Sequence, residues 1–275
     1  MLHVQVIDTR TGGELTCGAA LWSKSLVAVL LLLSAVSPVK AQPSATNEFL
    51  ARIYTNASKA TLPYRLLLPR NYDLKQSYPV ILYLHGAAAR GDDNTEPLNW
   101  GPKLFLNGEL RAKHHFFLVV PQCPQNGGWI ESSGLTGVKQ SQPLNLALEL
   151  VGQALPKEFH IDPKRRYLTG VSMGGHAVWV TLARRPGFFA AGVPVCSGGD
   201  ASLVTDAAAK FPVWAFHSDD DHLVPVQQAR DLVKAWRAHG GTAKYTEYRG
   251  LKHSSWKKAY LEPEMFDWLF AQLLP

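Results

Sequence analysis

Short apolar runs alternate along this chain with stretches that have the periodicity of helices. The apolar runs lie at residues 64–68, 80–84, 116–120, 166–168, 191–195, 213–216 and 246–248. The stretches with apolar residues at three- and four-residue spacing lie at 144–155, 173–184, 226–239 and 264–274. Apolar strands separated by helices are typical of a parallel sheet with both faces covered by helices. The pattern therefore predicts an α/β protein with a mostly parallel, doubly wound sheet.

A longer apolar run near the N-terminus has a different character. Residues 26–36 (LVAVLLLLSAV) are all apolar or small, Lys24 precedes them, and Val39-Lys40-Ala41 follows. A basic flank, a short apolar segment and small residues before a cut are typical of a secretory signal peptide. A membrane span is the alternative, but this run at about 1.5 Å per residue covers roughly half of a ~30 Å hydrocarbon core. The sequence predicts a signal peptide over residues 1–41.

That prediction sets the expected location and domain organisation of the protein. With the signal removed, we expect export to the periplasm or the extracellular space and no stable insertion in a membrane. Asp8 and Glu14 are unusual before such an apolar run, so one hypothesis is that translation begins nearer Leu21. Residues 42–275 contain no internal repeat, low-complexity tract or Gly/Ser-rich linker. They are therefore predicted to form a single domain.

Composition and charge exclude several classes of protein. With 18% charged and 46% hydrophobic residues, the chain lacks the signature of intrinsic disorder, and three cysteines are too few for a disulfide scaffold. The 28 Lys and Arg exceed the 22 Asp and Glu, but they are scattered, so no nucleic-acid partner is expected. No histidines show metal-ligand spacing together with an acid, so neither a metal nor another cofactor is predicted.

The motif with the most specific chemistry is Gly170-Val171-Ser172-Met173-Gly174. It follows a predicted strand and leads into a predicted helix, which is the setting in which G-x-S-x-G forms a nucleophile elbow. Side chains two residues either side of the serine would collide in so tight a turn, which accounts for the two glycines. The sequence therefore predicts that Ser172 is a nucleophile at a helix N-terminus, where the dipole favours developing negative charge.

A serine nucleophile needs a base and a group that orients the base. Three consecutive aspartates, residues 219–221, follow the next-to-last predicted strand, and His253 follows the last one. Asp221 is preferred because it directly precedes the His222-Leu223-Val224-Pro225 turn into a helix, whereas Asp219 and Asp220 are expected to be solvated loop acids. His253 is the predicted base.

The remaining histidines have structural interpretations. His176 lies four residues after Ser172 on the same helix and is expected to point along it. His85 and His217 end strands and are expected to brace loops.

An oxyanion hole should be formed by two backbone N–H groups. One is predicted to belong to Met173, which directly follows the nucleophile. The other is expected from the small residues of the loop 84–94, and Ala87 is the first choice.

Five further segments resemble one family of proteins. They are 78–86 (YPVILYLHG), 90–94 (RGDDN), 121–124 (PQCP), 161–170 (IDPKRRYLTG) and 194–196 (PVC). Together they are similar to the secreted "predicted peptidase" group of α/β-hydrolases, akin to the phospholipase/carboxylesterase family and to polyhydroxybutyrate depolymerase-like and feruloyl-type esterases. The resemblance covers about residues 50–272.

That resemblance implies an α/β-hydrolase fold, a Ser172–Asp221–His253 triad and hydrolysis of an ester or a peptide. Members of the group often have a second glycine shortly after His-Gly, whereas this chain has Ala87-Ala88-Ala89. The departure affects the expected oxyanion geometry and leaves the triad unchanged.

The substrate is predicted less sharply than the chemistry. Trp100, Trp129 and Trp256 fall on loops expected at the catalytic edge, where they would bind substrate by stacking on a sugar or a phenolic acyl group, or else simply wall the pocket. About 60 residues separate the third predicted strand from the helix at 144, which leaves no room for a large lid that selects oligopeptides. A small-molecule or polysaccharide-linked ester is therefore the expected substrate. A small serine peptidase is the alternative, and a non-catalytic binding protein on a hydrolase scaffold is the alternative of another class.

Overall fold

The computed structural model of the chain describes residues 45–133 and 137–275. The predicted signal peptide, 1–41, lies outside these residues and stays a prediction. Within the described ranges, none of the helices combines the length and the apolar character needed to cross a bilayer.

Eight strands form one sheet, in the order β1-β2-β4-β3-β7-β8-β9-β10, and two form a separate hairpin, β5-β6. The strands of the sheet are β1 Phe49–Thr55, β2 Thr61–Leu67, β3 Tyr78–Leu84, β4 Phe117–Pro121, β7 Ile161–Val171, β8 Ala191–Val195, β9 Val213–Ser218 and β10 Ala243–Tyr248, and those of the hairpin are β5 Ile130–Ser133 and β6 Gly137–Gln140. β2 is antiparallel to β1 and β4. The pairs from β4 through β3 to β10 are all parallel.

Helices connect the parallel strands. The α-helices are α1 Gly108–Lys113, α2 Gln142–Glu149, α3 Leu155–Glu158, α4 Met173–Arg184, α5 Asp206–Ala209, α6 Val226–Ala238, α7 Trp256–Ala259 and α8 Pro263–Phe270. A π-helical segment, Leu150–Ala154, joins α2 to α3. Short 3₁₀ turns lie at Ala45–Glu48, Ala87–Ala89, Glu96–Asn99, Pro102–Leu106, Ala201–Leu203 and Lys252–Ser254.

The sheet is buried on both faces, as its continuous apolar strands require. All seven residues of β3 are buried, and they divide alternately between two hydrophobic layers. Leu82 and Leu84 pack in the layer under α2, α4 and α6, whereas Ile81 and Tyr83 pack in the layer under α7 and α8. The prediction of a mostly parallel sheet with helices on both faces is confirmed.

The hydrophobic pattern did not reveal β1, a strand with few buried residues. β1 lies at the edge of the sheet, and only Phe49 among its seven residues is fully buried. A strand at an edge keeps one side in solvent, so it lacks the continuous apolar run by which the central strands were recognised.

The connectivity brings several loops to one edge of the sheet. The strands β3, β7, β9 and β10 are parallel to one another within the sheet, so the loops that follow them emerge on the same side. Those loops carry residues 85–94, Ser172, residues 219–225 and residues 249–255. The candidate chemistry therefore gathers at the carboxyl edge of the sheet.

Candidate active site

Ser172 occupies a tight turn between β7 and α4, with φ 53° and ψ −117°. A Cβ on Gly174 would lie 1.9 Å from the Leu84 carbonyl oxygen, and one on Gly170 would lie 2.7 Å from the same atom. Both distances are far inside van der Waals contact, so only glycine fits at these positions. This tight turn holds Ser172 in a backbone conformation that is rare for a residue with a side chain.

The side chain of Ser172 meets His253, which lies in the loop after β10. Nε2 of His253 is 2.8 Å from the Ser172 Oγ, and Nδ1 of His253 is 2.8 Å from the Asp221 Oδ2. Asp221 comes from the loop after β9. The structure thus brings the three residues singled out in the sequence into one hydrogen-bonded chain, although 81 residues separate the serine from the histidine.

Asp221 is held in place at both carboxylate oxygens. Its side chain is fully buried, and Oδ1 accepts hydrogen bonds from the N–H groups of Leu223 at 2.9 Å and Val224 at 3.0 Å. Burial acts to raise the pKa of Asp221, but the hydrogen bonds from Val224 and His253 outweigh it and the net pKa lies below its usual range. Asp221 is therefore an ionised acceptor aimed at His253.

His217 also contacts this carboxylate, which sequence reasoning did not anticipate. Its Nε2 lies 3.1 Å from the Asp221 Oδ2 and 3.0 Å from the Val224 carbonyl oxygen. The available signal was the spacing: His217 is the last residue but one of β9 and lies four residues before Asp221.

The sequence suggested that Asp219 and Asp220 are solvated loop acids. In the structure, both also accept hydrogen bonds from the loop after β10. The Asp219 Oδ1 accepts from the Gly250 N–H at 3.2 Å, and the Asp220 Oδ1 accepts from the Lys252 N–H at 2.8 Å. Lys252 directly precedes His253 and has a positive φ of 50°, which costs energy for a non-glycine residue. The two carboxylates therefore pin the loop that carries the histidine.

The two predicted oxyanion donors both stand at helical starts. Met173 is the first residue of α4, and Ala87 is the first residue of the 3₁₀ turn Ala87–Ala89. The N–H groups of the first turn have no acceptor within their own helix. Met173 directly follows Ser172 in the chain, and Ala87 follows Gly86, whose Cβ position lies 3.5 Å from the Ser172 Cβ.

His85 fixes the loop that contains Ala87. Its Nε2 accepts from the Cys123 N–H at 2.9 Å, and its Nδ1 lies 2.7 Å from the Gly86 carbonyl, to which it donates. Burial lowers the pKa of His85 to about 4, so the imidazole is neutral and its tautomer is set by these two partners. This agrees with the expectation that His85 braces a loop.

A pocket of about 240 Å³ opens beside Ser172. Its lining residues are Gly86, Ala87, Ala88, Trp100, Val171, Ser172, Cys196, Leu223, His253 and Trp256. The rings of Trp100 and Trp256 form a tilted pair with centroids 6.3 Å apart. Two of the three predicted tryptophans therefore border the site.

Trp129 does not line this pocket, which corrects the expectation from the sequence. It is fully buried, and its Nε1 donates to the His85 carbonyl at 3.0 Å. Its ring packs against the His85 imidazole, with the ring centroids 5.0 Å apart. The sequence placed Trp129 on a loop expected at the catalytic edge, but its side chain turns inward to support His85.

No group of three His, Cys, Asp or Glu side chains is arranged to hold a metal ion in the part of the chain that the structure describes. The site as it stands consists of a serine, an imidazole, a carboxylate and backbone N–H groups. That set of groups can perform nucleophilic acyl transfer by general acid–base catalysis.

Known proteins resemble this chain in sequence and in fold. Residues 55–222 match the family model described as "Putative esterase". A bifunctional acetylxylan esterase/xylanase of Neocallimastix patriciarum is 27% identical over 165 residues, which make up 60% of this chain and 22% of that protein. A "Probable feruloyl esterase C" of Aspergillus terreus is 24% identical over 178 residues, or 65% of this chain and 62% of that protein.

Among solved structures, a thermostable esterase superposes with a TM-score of 0.78 and 34% identity, over 83% of this chain and 64% of that one. The chain thus spans less than two thirds of the length of each of these three proteins.

Proposed function

The chain belongs to the esterase family of α/β-hydrolase enzymes, and we propose that it cleaves carboxylic esters through an acyl-enzyme intermediate on Ser172. The observation that carries the proposal is the unbroken chain from the Ser172 Oγ to His253 and on to Asp221, with each hydrogen bond 2.8 Å long. A buried, ionised carboxylate at its far end selects the tautomer in which the His253 Nε2 is free to accept a proton.

The first half of the reaction forms the acyl-enzyme. As the Ser172 Oγ attacks the carbonyl carbon of the ester, its proton passes to the His253 Nε2, and the carbonyl oxygen becomes an oxyanion. The N–H groups of Met173 and Ala87 donate to that oxyanion, and the ionised Asp221 stabilises the imidazolium of His253. The intermediate then collapses, the ester C–O bond breaks, and the leaving alcohol takes the proton from His253.

The second half releases the acid. A water molecule gives a proton to the His253 Nε2 as its oxygen attacks the acyl carbon. The same two N–H groups hold the second oxyanion. Collapse returns the proton to the Ser172 Oγ and frees the carboxylic acid, so the enzyme is regenerated and one water is consumed for each ester cleaved.

The substrate class that we propose is a small-molecule or polysaccharide-linked ester. The pocket is small and mostly apolar, and Trp100 and Trp256 offer aromatic planes to an acyl group or a sugar. The relatives named above are an acetylxylan esterase and a feruloyl esterase, which supports esters of this kind.

The test of the chemistry is a set of serine variants assayed on p-nitrophenyl acetate. Ser172→Ala is expected to remove nearly all turnover and all labelling by a fluorophosphonate probe, with an unchanged circular dichroism spectrum. Ser77→Ala, at an exposed serine, is the matched control and should keep full activity. Substantial turnover by Ser172→Ala would refute the proposal.

The substrate is tested by a panel of acetyl, feruloyl and longer acyl esters beside short peptides. Preference for an ester supports the proposal. Preference for peptides would instead make the protein a small serine peptidase with the same nucleophile.

We further propose that residues 1–41 direct export and are removed. Expression of the full chain in a Gram-negative host, followed by fractionation and N-terminal sequencing, should find a protein that begins at Gln42 outside the cytoplasm. A precursor that stays intact in the cytoplasm would contradict the proposal.

A further inference from the structure

The carboxylate of Asp221 is shared by two imidazoles. Its Oδ2 lies 2.8 Å from the His253 Nδ1 and 3.1 Å from the His217 Nε2. The proposed mechanism uses only the first of these contacts. His217 has a completely buried side chain, so its contact with the acid is not an accident of a mobile surface residue.

The hydrogen-bond partners of His217 fix its protonation. Nε2 faces two acceptors, the Asp221 Oδ2 and the Val224 carbonyl oxygen, so this nitrogen must carry the proton that it donates. Nδ1 is buried and has no hydrogen-bond partner among the described residues. A proton added there would be a buried N–H without an acceptor, which is costly. His217 is therefore neutral, with its proton on Nε2.

The electrostatic surroundings agree with this assignment. Burial lowers the pKa of His217 more than its hydrogen bonds to Val224 and Asp221 raise it. The titratable groups that face it are Asp221 and His253 on the catalytic loops, His176 on α4 and Glu247 on β10.

We propose that His217 is a positioning residue that acts on the reaction through Asp221. Two backbone N–H groups hold Oδ1 of the carboxylate and His217 holds Oδ2, so the plane of the carboxylate is fixed from both ends. The Nδ1–H of His253 can then donate to Oδ2 from one direction only. In that orientation the Nε2 of His253 faces Ser172. The inference rests on the proposed roles of Ser172, Asp221 and His253.

The shared oxygen also tunes how strongly Asp221 attracts the proton of His253. The N–H of His217 takes up part of the negative charge on Oδ2, so the hydrogen bond to His253 is weaker than it would be with Oδ2 to itself. Without His217, the whole charge on Oδ2 would act on the hydrogen bond to His253. Since catalysis needs the neutral base, the acid side of the pH profile would move upward.

Two substitutions at position 217 separate these effects from mere packing. His217→Gln keeps an N–H donor close to the place of Nε2, whereas His217→Leu fills the space without one. We expect kcat on p-nitrophenyl acetate to fall about tenfold in His217→Leu with little change in KM, and much less in His217→Gln. The pH at which half of kcat/KM is lost on the acid side should rise in His217→Leu alone. His239→Gln, at an exposed histidine paired with Asp206, is the surface control.

Active-site titration with a fluorophosphonate gives kcat per working site, so a partly unfolded sample does not mimic the effect. The inference is overturned if His217→Leu keeps the wild-type kcat and pH profile, or if His217→Gln is as impaired as His217→Leu. Loss of activity in Ser172→Ala together with either of those results would leave the proposed function intact and reject only the role of His217.

NMR of the wild-type protein labelled with ¹⁵N at histidine tests the same inference without turnover. The signals of His217, assigned by their loss in His217→Gln, should show a protonated Nε2 and an unprotonated Nδ1 throughout the pH range in which the enzyme is active. A charged imidazolium, or a proton on Nδ1, would overturn the inference even if His217→Leu does not fold.

Discussion

At the scale of single residues, the tightest constraint lies at Gly174. A Cβ there would stand 1.9 Å from the Leu84 carbonyl oxygen and 2.5 Å from its carbon, and backbone atoms cannot move aside as the end of a side chain can. Gly174→Ala is therefore expected to lower the free energy of unfolding by at least about 2 kcal/mol, and to reduce activity by distorting the turn of Ser172. Urea denaturation and the acetate assay measure both effects.

Gly108, the first residue of α1, is the matched control because a Cβ there meets nothing within 4 Å. Gly108→Ala should change the free energy of unfolding by no more than about 1 kcal/mol, in the stabilising direction. If both alanine variants behaved alike, close contact at the elbow would not be what requires the glycine.

Substitution of the two tryptophans near the site should change different properties: the stability of the protein for Trp129 and the KM for Trp100. Trp129→Phe leaves the buried His85 carbonyl without its donor, so we expect a loss of about 1–3 kcal/mol in the free energy of unfolding. Trp100→Ala removes a half-exposed ring from the pocket rim and should raise KM for aromatic esters about threefold to tenfold, with stability nearly unchanged. A stable Trp129→Phe with a raised KM would return Trp129 to the substrate site.

At the scale of elements, the loop after β10 is held by the loop after β9. The Asp220 Oδ1 accepts from the Ser218 hydroxyl at 2.7 Å and from the Lys252 N–H at 2.8 Å, and Lys252 is the strained neighbour of His253. Asp220→Ala is expected to lower kcat several-fold, because His253 loses part of its support. Asp220→Asn keeps an acceptor oxygen and should stay close to the wild type. Equal loss in both variants would point to the charge of Asp220 instead of the hydrogen bonds.

The elements recognised from sequence are those with a continuous apolar pattern. The helix predicted at 173–184 has the same bounds as α4, and the central strands were found because helices bury both of their faces. The edge strand β1 and the hairpin β5-β6 were missed, since neither carries such a run.

In the candidate site, too, some residues could be recognised from the sequence and some contacts could not. Ser172 lies in a local motif and His253 in the loop after the last strand, so order along the chain was enough to single them out. The contacts of His217 with Asp221 and of Asp220 with Lys252 depend on how two loops fold against each other, and the inward turn of Trp129 depends on the space beside His85. Single-sequence patterns contain no information about such pairings.

At the scale of the whole molecule, burial keeps several histidines around the site in their neutral form. His85 is fully buried, and burial lowers its pKa from 6.5 to about 4. Burial also lowers the pKa values of His176 and His217, by more than their hydrogen bonds raise them. In the unfolded chain all three imidazoles return to ordinary values, so between these limits the unfolded state binds more protons than the folded one.

The free energy of unfolding must therefore fall as the pH falls through this window. The contribution of His85 is fully present above pH 6.5 and is lost by about pH 4, a difference of about 3 kcal/mol. Urea denaturation at steps between pH 7.5 and pH 4 should show this decline, and His85→Gln, which cannot titrate, should make it shallower. A wild-type stability that stays level from pH 7 to pH 4 would mean that these imidazoles are protonated inside the fold, with partners other than those described.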